Sequence, residues 1–147
     1  QRLQLDYWRA FRELALAQST VIKPHKPYPQ AHMRFPVGRS GFHLTASAST
    51  RDNSINVRFI ADGPHAKHHF YLLLESRQEI EDEVGAKLDW RPMPCRKSSR
   101  VYKTLHRTDL ADRNGWPRQH AWLLEKLEAF YRAFAPRIAE LDISDPL

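Results

Sequence analysis

Cysteine is nearly missing from this chain. Cys95 stands alone, so no intrachain disulfide can form, and a reducing, cytoplasmic setting is expected. Its neighbours Arg91, Arg96 and Lys97 supply positive charge but no histidine base, and the residue reads as a small apolar filler. Glycine is scarce as well. The five glycines, at 38, 41, 63, 85 and 115, lack the spacing of a phosphate-cradling loop, which excludes glycine-rich nucleotide-binding motifs. No apolar run approaches the roughly 20 residues that span a bilayer, so no membrane role is expected. An initiator Met is absent too, and the first residues already lie in a helical pattern. The chain is therefore expected to be the C-terminal part of a longer protein.

Acidic residues are missing over two long stretches. Between Glu13 and Asp52 there are none, against Lys23, Lys26, Arg34, Arg39 and Arg51. Between Asp89 and Asp109 there are again none, against Arg91, Arg96, Lys97, Arg100, Lys103 and Arg107. The acids gather instead at Glu75, Glu79, Glu81, Asp82 and Glu83. A net charge of +6 distributed in this way attracts polyanions if the two basic stretches meet in space, and merely solvates loops if they do not.

What is present is enough for one domain. The 147 residues, 41% of them hydrophobic, can bury a core, and residues 1–147 are read as a single unit. Leu3, Tyr7, Phe11 and Leu14 repeat at helical spacing and predict a helix over 2–18. Prolines at 24, 27 and 29 make the next segment extended. Alternation then predicts strands at 32–37, 42–49 and 55–61, with Thr50 to Ser54 as the turn of a hairpin. A helix from Pro64 to Val84 ends at Gly85, strands follow at 88–93 and 100–107, and a last helix starts near Trp116, with Pro136 expected to kink or restart it. The expected class is α+β. A mostly antiparallel sheet of about five strands is covered on one face by three helices, in the order α-βββ-α-ββ-α.

Catalytic constellations are hard to assemble. His65, His68 and His69 lie early on a helix, with 65 and 69 one turn apart, but no further His or carboxylate follows at useful spacing to complete a site, and no metal is expected. Ser40 lies in Gly38-Arg39-Ser40-Gly41, which is a turn and not the nucleophile elbow. Metal-dependent phosphodiester cleavage needs carboxylates on adjacent strands. The hairpin strands carry none, and Asp52 and Asp62 sit at their ends. No catalytic residue and no cofactor is expected.

The remaining candidate is the polar side of the sheet. His32, Arg34, His43, Thr45, Ser47, Asn56 and Arg58 project together if the strands pair in register, with Trp90, Tyr102 and His106 as further members. Cations and hydroxyls with some aromatics suit phosphate and base contacts. The residues expected to bind DNA or RNA are Arg34, Arg39, His43, Arg51, Asn56, Arg58, Arg96, Lys97 and Arg100.

Several motifs occur in order: Tyr7-Trp8-Arg9-Ala10-Phe11, Phe35 through Leu44, Ser49-Thr50-Arg51-Asp52-Asn53, Asp62 through Lys67, and Trp116 through Leu123. Over nearly its whole length the chain resembles the domain-of-unknown-function family 4268 (DUF4268). The resemblance implies a prokaryotic intracellular domain, often placed C-terminal to a nuclease-like domain, and transfers no activity. The expected function is a non-catalytic nucleic-acid-binding accessory domain of a nuclease-associated or defence protein. The competing expectation is a protein-interaction or homodimerisation module that uses Trp8, Trp116 and Trp122.

Overall fold

A computed structural model describes residues 2–147. Helix α1 (Arg2–Gln18) buries Tyr7, Trp8, Phe11 and Ala15, the helical spacing read from the sequence. The proline-bearing stretch after it has no regular secondary structure. It is pinned where the Trp8 indole N–H donates to the Gln30 carbonyl at 2.8 Å.

Strands β1 (His32–Pro36), β2 (Phe42–Ser49) and β3 (Ser54–Ala61) form an antiparallel meander. Pro36 ends the edge strand, where its missing N–H leaves no ladder partner unpaired. Gly41, in the β1–β2 turn, has φ +91, and a Cβ there would lie 3.3 Å from the Asp62 carbonyl. Both backbone sign and close approach require glycine.

The chain then crosses over through helices α2 (Ala66–Leu74) and α3 (Arg77–Val84). It continues into β4 (Asp89–Arg91) and returns as β5 (Ser99–His106) between β4 and β3. The sheet order is β1-β2-β3-β5-β4 with every neighbouring pair antiparallel, so β4 runs in the direction of β3. Helix α4 (Trp116–Ala139), preceded by a 3-10 turn at Arg113–Gly115, lies across β2 and β3. Helix α2 packs on β3 and β5, and α1 and α3 pack on α4. This is the expected α+β fold with a five-stranded antiparallel sheet.

Three details differ from the sequence reading. The helix expected over 64–84 is two helices. A continuous helix would put Arg77 on the stripe of Phe70, Leu73 and Ile80. Instead the Ser76 N–H tightens onto the Leu73 carbonyl at 2.9 Å, and the helix restarts with Arg77 turned outward. Pro136 does not restart α4, which runs through it as one helix. Phe130, Phe134 and Ile138 are buried on both sides of it, and Phe134 stacks on Phe59 at 4.0 Å. That packing outweighs the hydrogen bond proline removes. The strand expected over 88–93 is three residues long.

Directly paired residues of an antiparallel ladder share a face. One row reads Phe35, Leu44, Phe59, Val101, Trp90 across the five strands and joins the helices in the core. Among the described residues no helix is long and apolar enough to cross a membrane.

A buried imidazole sits in this core. His120 is 3% exposed and its ring lies against Tyr7, Phe11 and Trp116, with Nε2 unpartnered. Burial pushes its pKa down to about 4. The unfolded chain, titrating near 6.5, therefore binds a proton that the folded chain refuses between about pH 6.5 and 4. Stability from this residue is complete above pH 6.5 and lost as pH falls towards 4, by up to roughly 3 kcal/mol. Urea melts at pH 7 and pH 4.5 should show that fall, and His120→Phe should make it smaller, with His43 and His69 contributing the histidine part that remains. An unchanged slope in the variant would assign the loss elsewhere.

Candidate nucleic-acid interface

Among the described residues no helix packs on the opposite face of the sheet, and its rows are polar. Reading across the strands, one row is His32, Ser47, Asn56, Thr104. The next is Arg34, Thr45, Arg58, Tyr102, Asp89. The third is Pro36, His43, Ile60, Arg100, Arg91. Arginines of both acid-free stretches thus meet on one surface, with β3 between them. From Arg34 on β1 to Arg100 on β5 is three strand spacings, roughly 14 Å.

Five expected residues are therefore together: Arg34, His43, Asn56, Arg58 and Arg100. The other four are elsewhere. Arg39 turns away to the end of α4, where its guanidinium donates to the carbonyls of Ile138 and Leu141 at 2.6 and 2.9 Å. Arg51 is exposed at the tip of the β2–β3 hairpin. Arg96 and Lys97 lie on the β4–β5 loop. That loop is held by the Lys67 ammonium, which donates to the carbonyls of Pro92, Met93 and Ser98 and to the Ser99 hydroxyl. Lys67 is thus an anchor for the loop and not a free cation.

Trp90 does not join the polar face. Its ring packs near Phe70 and Phe134, and its N–H donates to Glu81 at 3.1 Å. Arg91, one residue on, takes the polar side instead and was not among the expected residues. The signal is the apolar character of Trp90 between Asp89 and Arg91, but a three-residue strand gives alternation no length in which to register. Tyr102 and His106 do share the parity of Arg58.

The geometry is crowded with cations. The Arg58 and Arg91 guanidinium carbons lie 4.9 and 4.4 Å from the Tyr102 ring centroid. Arg58 Nε donates to the Asn56 side-chain oxygen at 2.9 Å. Arg34 Nη2 donates to His43 Nδ1 at 3.1 Å, so the neutral ring carries its proton on Nε2. Burial, then the charges of Arg34 and Arg100, push His43 down to about 4, with Asp62 opposing. Burial also lowers Arg58, and the Arg100 and Arg91 charges add to it while Tyr102 opposes. Arg91 has a carboxylate partner in Asp89, its Nε donating at 2.7 Å. Among the described residues Arg34, Arg58 and Arg100 form no ion pair.

These side chains surround a hollow of about 230 Å³, lined by His32, Arg34, His43, Thr45, Arg58, Ile60 and Arg100. Larger hollows exist, but among the described residues they gather fewer unpaired cations. The one between α2, α3 and α4 holds the Arg137–Glu83 pair among leucines. The one beside β5 sets Arg107 and Arg118 against Asp109 and Asp112. The one at Gly63 and Pro64 contains Lys67, already committed, with Arg96 and Lys97. Among the described residues no group of three or more His, Cys, Asp or Glu could hold a metal ion.

Fold and site together define an α+β domain whose antiparallel sheet is packed by helices on one side and open, basic and polar on the other. The chain belongs to the family described as Domain of unknown function (DUF4268), whose model matches residues 3–138. A search of the curated proteins finds no match. Among solved structures, the chain is similar to E. coli YbjN, a candidate transcription regulator, at 15% identity and a TM-score of 0.43, covering 90% of this chain and 93% of that one. It is also similar to a chain of the HopA1-SchA chaperone-effector complex, at 14% identity and 0.39, covering 92% and 91%. Likenesses of that degree carry no argument about function.

Proposed function

We propose that this chain is a non-catalytic nucleic-acid-binding module that works through the open face of its sheet, as an accessory to a nuclease-like or defence companion. The observation that carries the reading is the alignment of Arg34, Arg58 and Arg100 across three strands without an acid to neutralise them. Cations that crowd one another are relieved by a polyanion, and guanidinium groups bind phosphate oxygens in a two-pronged geometry. Phosphate contacts dominate this surface. Tyr102, the aromatic residue in its middle row, already has the Arg58 and Arg91 guanidinium groups over its ring, so binding that runs through the arginines should tolerate sequence.

Three phosphate contacts fix the salt dependence. With a slope of about −0.9 per contact on duplex DNA, raising salt from about 50 to about 200 mM should weaken binding roughly 40-fold. Fluorescence anisotropy with labelled duplex and single strands of DNA and RNA measures this directly. No binding to any of them at low salt would sink the proposal.

Of the three tryptophans of the dimerisation reading, Trp8 and Trp116 are buried in the core, at 1% and 7% exposure, and only Trp122 is partly exposed, which makes that reading the weaker alternative.

A further inference from the structure

Within the polar face, one group is out of place. Thr45, on β2 between Arg34 and Arg58, is 4% exposed, and its hydroxyl has no hydrogen-bond partner. A buried hydroxyl left unpaired is costly, and valine would fill the same volume without that cost. Threonine lines the hollow described above, whose about 230 Å³ falls below the roughly 300–1,000 Å³ of pockets for whole small molecules. The space suits one compact anionic group.

We propose that this hollow is a seat for the terminal phosphate of a nucleic-acid strand, with the Thr45 hydroxyl donating to one phosphate oxygen and Arg34, Arg58 and Arg100 matching its charge. The inference rests on the nucleic-acid reading and narrows it to strand ends. A phosphate inside a strand has two oxygens esterified, and its chain must leave the hollow in two directions. A terminal phosphate has three free oxygens, carries about −1.5 to −2 charge, and leaves by one. Donors stand around the hollow on four strands, Arg34 on β1, Thr45 on β2, Arg58 on β3 and Arg100 on β5, and the His43 Nε2–H is a further one. The three arginines are without carboxylate partners among the described residues, so the extra charge of a terminal group is matched where a diester would leave it unused.

The test compares one labelled single strand in three forms: phosphorylated at the 5′ end, phosphorylated at the 3′ end, and with hydroxyls at both ends. Anisotropy should show at least one phosphorylated form binding about tenfold more tightly than the hydroxyl form. Thr45→Val should erase that preference, while Thr45→Ser, which keeps the hydroxyl, should retain it. Equal affinity for all three strands overturns the seat and leaves the nucleic-acid reading standing. A preference that survives in Thr45→Val removes threonine from it. Inorganic phosphate is the separate probe. If no strand binds, yet phosphate shifts the amide resonances of Thr45 and its neighbours, the anion seat is supported and the strand as its carrier is overturned.

Discussion

Arg34→Glu combined with Arg58→Glu lowers affinity for nucleic acid by more than about 100-fold at low salt, because two of three phosphate contacts become repulsions. The two residues are cross-strand members of one row, separated by Thr45. Reversing both places negative charge on either side of the hollow. Charge reversal at Arg58 also disturbs its bond to Asn56 and its packing on Tyr102, so loss of binding alone could report a damaged sheet. The neutral pair Arg34→Gln and Arg58→Gln separates the causes. It should fold as wild type by circular dichroism and reduce the salt slope by about 0.9 for each arginine removed. Arg51→Glu is the geometric control. It changes the net charge as much as either single substitution, but it sits at the hairpin tip away from the rows. Its effect should be several-fold smaller. If Arg51→Glu cost as much as Arg58→Glu, affinity would follow total charge and not the open face.

How much of this was legible in the sequence depends on the length over which a pattern repeats. Strands β2 and β3 each hold eight residues of alternation, and the turn between them has the residues a turn needs, so both the elements and their shared face are readable. Strand β4 is three residues long. There the choice between Trp90 and Arg91 for the polar side is made by the tertiary contacts of Trp90 with Phe70, Phe134 and Glu81. Arg39 shows a second limit. Nothing local distinguishes an arginine that binds a ligand from one that ends a helix a hundred residues away, and its partners Ile138 and Leu141 are known only once the chain has folded. The Thr45 hydroxyl is a third case. Alternation places it on the polar face, but its burial and its lack of a partner are properties of five assembled strands. The site is thus half readable: the meander carries its own pattern, and the crossover that brings Arg100 beside Arg58 does not.

Trp8→Ala should be the most destabilising single change, at about 3–5 kcal/mol, a large share of the 5–15 kcal/mol that holds a domain of this kind together. Trp8 is 1% exposed and packs edge-on against Tyr7 and Phe11, with ring centroids 5.1 and 5.9 Å away. Its N–H also holds the Gln30 carbonyl, so removing the ring leaves a cavity and releases the proline-bearing stretch that precedes β1. The expected fall in Tm is roughly 10–15 °C. The same core holds Tyr7, bonded through its hydroxyl to Gln119 at 2.9 Å, and Trp116, whose N–H donates to the Leu110 carbonyl. These are residues of the motifs that carry the family resemblance, and in the structure they are cement between α1, α4 and the loop before α4. The family is therefore recognised chiefly through what folds it, while the candidate interface draws mostly on residues outside those motifs: Arg58, Arg91, Arg100 and Thr45. Urea melts and light scattering together test the assignment. Trp8→Ala should shift the melt and leave the oligomeric state as in wild type. A normal melt with a changed assembly state would return Trp8 to the surface and revive the interaction reading.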